Sequence, residues 1–177
     1  LVDSDGNIYT GTVQTSLTTF DPTTDAGLEA FPGEFEGVER DGDTIPILSY
    51  GYMDITLRDS SGNKLQLADG KTATITIPIP PSLQASAPAT MPIWYFDPDD
   101  GKWYEETTGT KAGSVYQANV THFSMWNNDV GYSRSYVVGR VLDCEGKPVE
   151  GARVTIKGIS PRNCWTSGEK STSDDGF

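Results

Sequence analysis

Lys71-Thr72-Ala73-Thr74-Ile75-Thr76-Ile77-Pro78-Ile79-Pro80-Pro81 is the stretch that decides the fold class. In an extended chain Ala73, Ile75, Ile77 and Ile79 point one way and Thr72, Thr74 and Thr76 the other, which is the period of a strand with one packed and one solvated face. The β-branched side chains suit a pleated surface. Pro78, Pro80 and Pro81 have no N–H to give to a ladder, so this end of the strand sits at a sheet edge or leaves the sheet. The same alternation recurs in Val13, Thr15 and Leu17, in Met53, Ile55 and Leu57, and in Ala152, Val154 and Ile156, while helical periodicity is nearly absent.

Between these segments lie turns that resemble one another. Leu1-Val2-Asp3-Ser4-Asp5-Gly6-Asn7, Leu57-Arg58-Asp59-Ser60-Ser61-Gly62-Asn63 and Val141-Leu142-Asp143-Cys144-Glu145-Gly146-Lys147 each join a strand end to an acid and a glycine. Glycine supplies a positive φ and Asp bonds back to the local backbone, the chemistry of hairpin turns. Asp97-Pro98-Asp99-Asp100-Gly101-Lys102 is a fourth, between Ile93-Trp94-Tyr95-Phe96 and Trp103-Tyr104. Many short strands with such turns predict an all-β chain, an antiparallel β-sandwich.

The polar stretch from Asn127 to Ser135 reads as a boundary. It divides the chain into a β-sandwich at 1–128, a linker at 129–135 and a second module at 136–177. The second module, at about 40 residues, is near the length at which a domain needs extra support. Both ends of the sequence read as cuts through a longer chain, with an N-terminal strand expected to be missing.

Thirteen Lys and Arg stand against 25 Asp and Glu, a net charge of -12. Such a chain is repelled by phosphate backbones and anionic lipid, so neither nucleic acid nor a membrane surface is expected as partner. A single histidine, His122, excludes mechanisms that need two imidazoles. Phosphate-binding glycine loops and the G-x-S-x-G elbow are missing too, so no cofactor and no turnover of an external substrate is expected. No apolar run approaches the roughly 20 residues that span a bilayer.

Gly139-Arg140-Val141-Leu142-Asp143 followed by Gly146-Lys147-Pro148-Val149-Glu150-Gly151-Ala152-Arg153-Val154, with Ser171-Thr172-Ser173-Asp174-Asp175-Gly176-Phe177 as a later turn, resembles the start of a carboxypeptidase regulatory-like domain. That resemblance implies a small transthyretin-like β-sandwich, non-catalytic and carried on secreted or surface proteins. Phe31-Pro32-Gly33-Glu34-Phe35, Gly70 to Ile75, Pro92 to Asp97, Gly101-Lys102-Trp103 and Val120 to Asn127 resemble a β-sandwich of bacterial surface proteins and lipoproteins. They resemble more distantly the sandwich domains shared by ankyrins and netrin receptors.

His122-Phe123-Ser124 is the sharpest candidate for chemistry, being similar to the self-cleavage tripeptide of a death-domain scaffold and of a self-processing nucleoporin. Ser124 would attack the Phe123 carbonyl carbon and His122 would take the proton. The bland alternative is a strand with Val120, His122 and Ser124 on one face and Thr121, Phe123 and Met125 on the other. Trp94, Trp103 and Tyr104 flank one turn and offer either a stacking platform for sugar rings or cross-strand packing. Cys144 and Cys164, the only cysteines, are a disulfide candidate whose closed loop would contribute about 3 kcal/mol and indicate an oxidising compartment. Asp3-Ser4-Asp5-Gly6-Asn7 fails as an EF-hand because its glycine comes too early, and no metal is expected. Asn119-Val120-Thr121 is a formal glycosylation sequon, without meaning in a bacterial surface protein.

These readings combine into a non-enzymatic extracellular or cell-surface structural or adhesion module. Its expected partners are other domains of the same parent chain and a surface protein or glycan ligand. A module that cleaves itself between Phe123 and Ser124 and a carbohydrate-binding module are the alternatives.

Overall fold

The computed structural model of the chain describes residues 1–132, 138–155 and 170–177. It divides into two compact units, Leu1–Arg134 and Ser135–Phe177.

In the first unit β1 (Gln14–Phe20), a short α1 (Asp25–Glu29) and β2 (Glu36–Val38) precede the long β3 (Thr44–Arg58) and β4 (Lys64–Leu65). Then come β5 (Ala73–Pro78), β6 (Thr90–Asp97), β7 (Lys102–Ala112), β8 (Val115–Val120) and β9 (Met125–Gly131). Hydrogen bonding links them in the order β1-β3-β9-β6-β7-β8-β5, with β2 against β3 and β7, and β4 against β3. All these pairings are antiparallel except β2 with β7. The sheet turns back on itself, so that Ile75 and Ile77 of β5 and Ala118 and Val120 of β8 pack onto Met53, Ile55, Ile93 and Trp126. The expected all-β sandwich is what forms, and the Ala73–Pro78 alternation is its edge strand, with Ile75 and Ile77 buried and Thr74 and Thr76 exposed.

On the opposite face of the central strands, Phe31, Ile47, Tyr52, Trp94 and Trp103 make a second cluster. The segment after β1 lies over it. Thr24 caps α1 by accepting from Gly27 N at 3.1 Å, and the Tyr52 hydroxyl donates to Gly27 O at 2.5 Å. Burial pushes the Tyr52 phenol up to about 12. A third cluster, Tyr50, Ile79, Met91 and Tyr116, closes one end.

Two irregularities interrupt the strand registers. In β6–β7, Ile93 faces Thr107 and Trp94 faces Glu105, so Glu106 is an extra residue on β7. Such bulges re-aim a side chain, and Glu106 turns toward residues 121 and 122. In β3–β9, Ser49 faces Asp129 and Tyr52 faces Asn127, leaving Tyr50 and Gly51 opposite Asn128.

The stretch from Asn127 corrects the sequence reading. Asp129, Val130 and Gly131, expected in the linker, belong to β9 between β3 and β6, and the polar run Asn127, Asn128 and Asp129 is fully buried. Their polarity is met partly from within. Ser49 Oγ donates to Asn127 Oδ1 and Asn127 Nδ2 to Asp129 Oδ2, both at 2.6 Å. Asp129 Oδ1, the Asn128 amide group and the Trp126 indole N–H lack partners among the described residues.

Desolvation pushes the Asp129 carboxyl well above its ordinary 3.8, the nearby Ser49 hydroxyl acting in the opposite direction. The folded chain therefore keeps a proton that the unfolded chain releases as pH rises past about 4, so stability falls with rising pH until the raised value is passed. Asp129→Asn is expected to remove this slope and to be more stable than wild type at pH 7, because a neutral amide folds without taking up a proton. Chemical denaturation of both proteins at pH 5 and 7 checks it. Equal slopes would refute it.

In the second unit Val141 N donates to Gly176 O at 2.9 Å, and Thr172 Oγ1 donates to Val149 O at 2.5 Å while accepting from Ala152 N at 3.0 Å. β10 (Arg153–Val154) pairs antiparallel with β11 (Lys170–Ser171). The three related turns share one geometry. Asp3, Asp59 and Asp143 each accept on Oδ1 from the amides two and four residues on, at 2.8 to 3.0 Å. Gly6, Gly62 and Gly146 take φ of 81, 90 and 82°. The side-chain oxygens are thus engaged in local turns, and among the described residues no cluster of three His, Cys, Asp or Glu could hold a metal ion.

Candidate functional site

Residues 121–124 are not the strand expected of them. β8 ends at Val120 and β9 begins at Met125, so the segment carries the chain from the β5–β8 layer to the middle of the other layer. A passage between layers leaves backbone groups without a ladder, and Gln66, just after β4, supplies the partner. Its Oε1 accepts from Phe123 N and its Nε2 donates to Phe123 O, both at 2.7 Å. One side-chain amide thus does for a peptide what a neighbouring strand would. Gln66 is itself fixed by mutual backbone bonds with Val2 at 2.9 and 3.0 Å.

His122 lies with its Nδ1 3.2 Å from Glu106 Oε2. Its ring meets Tyr95 edge-on at 4.8 Å and Trp126 obliquely at 4.8 Å. Desolvation lowers its pKa below 6.5 and the Glu106 carboxylate partly restores it. Glu106 also accepts from Thr121 N at 3.1 Å and Thr121 Oγ1 at 2.8 Å. Ser124 Oγ donates to Phe96 O at 3.0 Å, and Ile55 N donates to Ser124 O at 3.2 Å. Beside these residues runs an open groove of about 440 Å³, lined among others by Lys64, Gln66, Tyr95, Asp97 and Phe123.

The structure thus brings His122, Phe123 and Ser124 together with two residues that the sequence did not flag. Glu106 can orient the imidazole, and Gln66 Nε2 sits where a developing oxyanion on Phe123 would need a donor. The serine hydroxyl, however, is turned to a backbone carbonyl. Among the described residues there is no cis peptide bond and no non-glycine residue with positive φ. Nothing in sequence marks Gln66, 57 residues from its partner, or Glu106, whose direction depends on a bulge.

The aromatic platform is corrected. Trp94 and Trp103 are 1% and 0% exposed. Their indole N–H groups donate inward, to Asp129 O at 3.3 Å and Pro32 O at 3.0 Å. Only Tyr104 is partly exposed, stacked on Tyr95 at 5.6 Å with its hydroxyl bonded to Asp100. Both indoles lie on the packed face of the β6–β7 hairpin, where no sugar ring can reach them. Cys144 is exposed at the tip of its turn, while Cys164 and with it the disulfide expectation lie outside the described residues.

The class that fold and site define is an all-β module with a sandwich and a second small β unit. No family model matches the chain, and no solved structure matches it closely. It is similar to cartilage intermediate layer proteins. Cartilage intermediate layer protein 1 of Sus scrofa is 30% identical over 183 aligned residues, covering 92% of this chain and 29% of the relative. The Mus musculus protein of the same name is 25% identical over 180, covering 92% and 15%. Cartilage intermediate layer protein 2 of Homo sapiens is 29% identical over 115, covering 63% and 9%. The chain thus spans less than a third of the length of each of these relatives. All three are mammalian proteins, so the likeness to bacterial surface proteins and lipoproteins gains no support from them. The carboxypeptidase regulatory-like resemblance rests on its own residues alone.

Proposed function

We propose that this chain is a non-enzymatic structural module of an extracellular protein, working by joining other domains of its parent chain and presenting a surface to a matrix protein. The observation that carries this is similarity along 92% of the chain to proteins named for a layer of cartilage, a tissue consisting largely of extracellular matrix. The geometry agrees with it, since Trp94, Trp103, Trp126 and the polar centre of β9 are buried in packing. A net charge of -12 repels sulfated polysaccharides, which directs the proposed surface toward protein partners.

Self-cleavage between Phe123 and Ser124 is the second reading, favoured by Gln66 Nε2 at 2.7 Å from the Phe123 oxygen. Ser124 Oγ would leave Phe96 O, bond to the Phe123 carbonyl carbon and give its proton to His122. The proton would pass to the departing Ser124 nitrogen, and water would hydrolyse the ester formed.

One experiment separates the two readings. The parent protein is expressed in cultured animal cells, and medium and cell lysate are compared on denaturing gels beside a Ser124→Ala variant. The expected result is protein in the medium, uncut within this module and identical to the variant. Fragments from wild type alone would establish self-cleavage, and protein held in the cytosol would overturn the extracellular reading.

A further inference from the structure

Asn119-Val120-Thr121 is the one Asn-x-Ser/Thr sequence in the chain. In β8 the side chains of Tyr116, Ala118 and Val120 turn inward and those of Gln117 and Asn119 outward. Asn119 faces Thr74 of β5, whose Oγ1 donates to Asn119 Oδ1 at 2.8 Å. In this arrangement the amide oxygen faces Thr74 and the amide nitrogen faces away from it. The acceptor oxygen is engaged, and Nδ2 has no partner among the described residues. Around it Thr74, Thr108, Thr110 and Gln117 line a shallow depression of about 320 Å³ without a charged side chain, in a chain whose net charge is -12.

We propose that Asn119 is a site of N-glycosylation. Asn119 Nδ2 bonds to C1 of the first sugar of a polyprenyl-diphosphate-linked oligosaccharide. The bond from C1 to the diphosphate oxygen breaks, the diphosphate leaves with the electron pair, and the amide gives up one N–H proton to water. Transfer acts on the unfolded chain, where Thr121 is free to complete the acceptor sequence. The fold then has to accommodate the product, and it does so without loss of internal bonds. Substitution on Nδ2 leaves Oδ1 as the acceptor for Thr74, leaves the β8 ladder intact and directs the sugar outward over threonine and glutamine.

The position also has a use. β5 ends the sheet order, and its residues 74–77 are β-branched and uncharged, an edge that Pro78 closes to pairing at one end only. A sugar rooted one strand inward, level with Thr74, covers that edge.

This inference rests on the extracellular reading, because the modification needs passage through the secretory route. The test therefore supplies that route. Wild type and Asn119→Gln are secreted from mammalian cells behind an added leader, and the medium is treated with peptide N-glycosidase. The expected result is a downward gel shift of wild type, with residue 119 read as Asp in the released peptide, and a variant that runs at the lower position throughout. Secreted wild type with unmodified Asn119 in its peptide mass would overturn the inference and leave the extracellular reading standing. Should the variant fail to be secreted, the wild-type peptide mass decides alone. Failure of the parent protein to leave the cell under its own signals would instead strike the extracellular reading.

Discussion

Trp103→Ala is expected to destabilise the first unit by about 3–5 kcal/mol, the range for truncating a buried aromatic. That is a large part of the ~5–15 kcal/mol by which a domain is folded. Trp103 is fully buried, its ring 5.0 Å from Phe31 and 5.3 Å from Phe96. The cavity would open beneath the segment that holds Phe31 over the sheet. Pro32 O would lose the indole N–H that reaches it at 3.0 Å. Trp103→Phe separates the two contributions, keeping most of the packing while losing the donor, and is expected to cost about 1–2 kcal/mol. Denaturant midpoints for the three proteins check both figures. A loss below about 1 kcal/mol for the alanine variant, far under the range for a buried aromatic, would mean that Trp103 is not packed between Phe31 and Phe96.

Gly51→Ala is expected to cost about 3 kcal/mol, although it adds only one methyl group. Gly51 sits in the bulge of β3 at φ 130°, and a Cβ built there would lie 2.4 Å from the Pro78 carbonyl oxygen. Both the backbone angle and the close approach demand glycine, and the clashing atom is backbone that cannot rotate away. Gly62→Ala is the comparison. Its φ is 90° with nothing within 4 Å, so only the angle opposes the change, at about 1 kcal/mol. Equal losses in the two variants would show that Pro78 does not approach β3 this closely.

The strands were legible wherever one face meets the core and the other meets water. Lys71 to Ile79 shows this, as do the turns at Asp3, Asp59 and Asp143, whose acid and glycine are required by local geometry alone. Asn127 to Asp129 was not legible, because a strand buried on both faces takes its environment from its neighbours and three polar residues in a row carry no alternation. The Trp94 and Trp103 hairpin shows a complementary limit. Sequence places aromatics on a strand but does not say which face the rest of the chain will cover. Of the candidate site, the tripeptide could be read and its surroundings could not. Gln66 and Glu106 reach it only through the pairing of β4 with β3 and the bulge in β7.

The place of β9 has a consequence for the order in which the chain can be assembled. It is the last strand of its unit to leave the ribosome, yet it is the one that joins β3 to β6. Until residues 125–131 have emerged, β1 with β3 and β6 with β7, β8 and β5 are linked by the short β2 alone, and the borders of β3 and β6 that β9 fills stay unpaired. The nascent chain carries those unpaired borders until then, open to pairing elsewhere. A stop codon just ahead of Met125 would therefore remove the seam of the sandwich rather than trim its end.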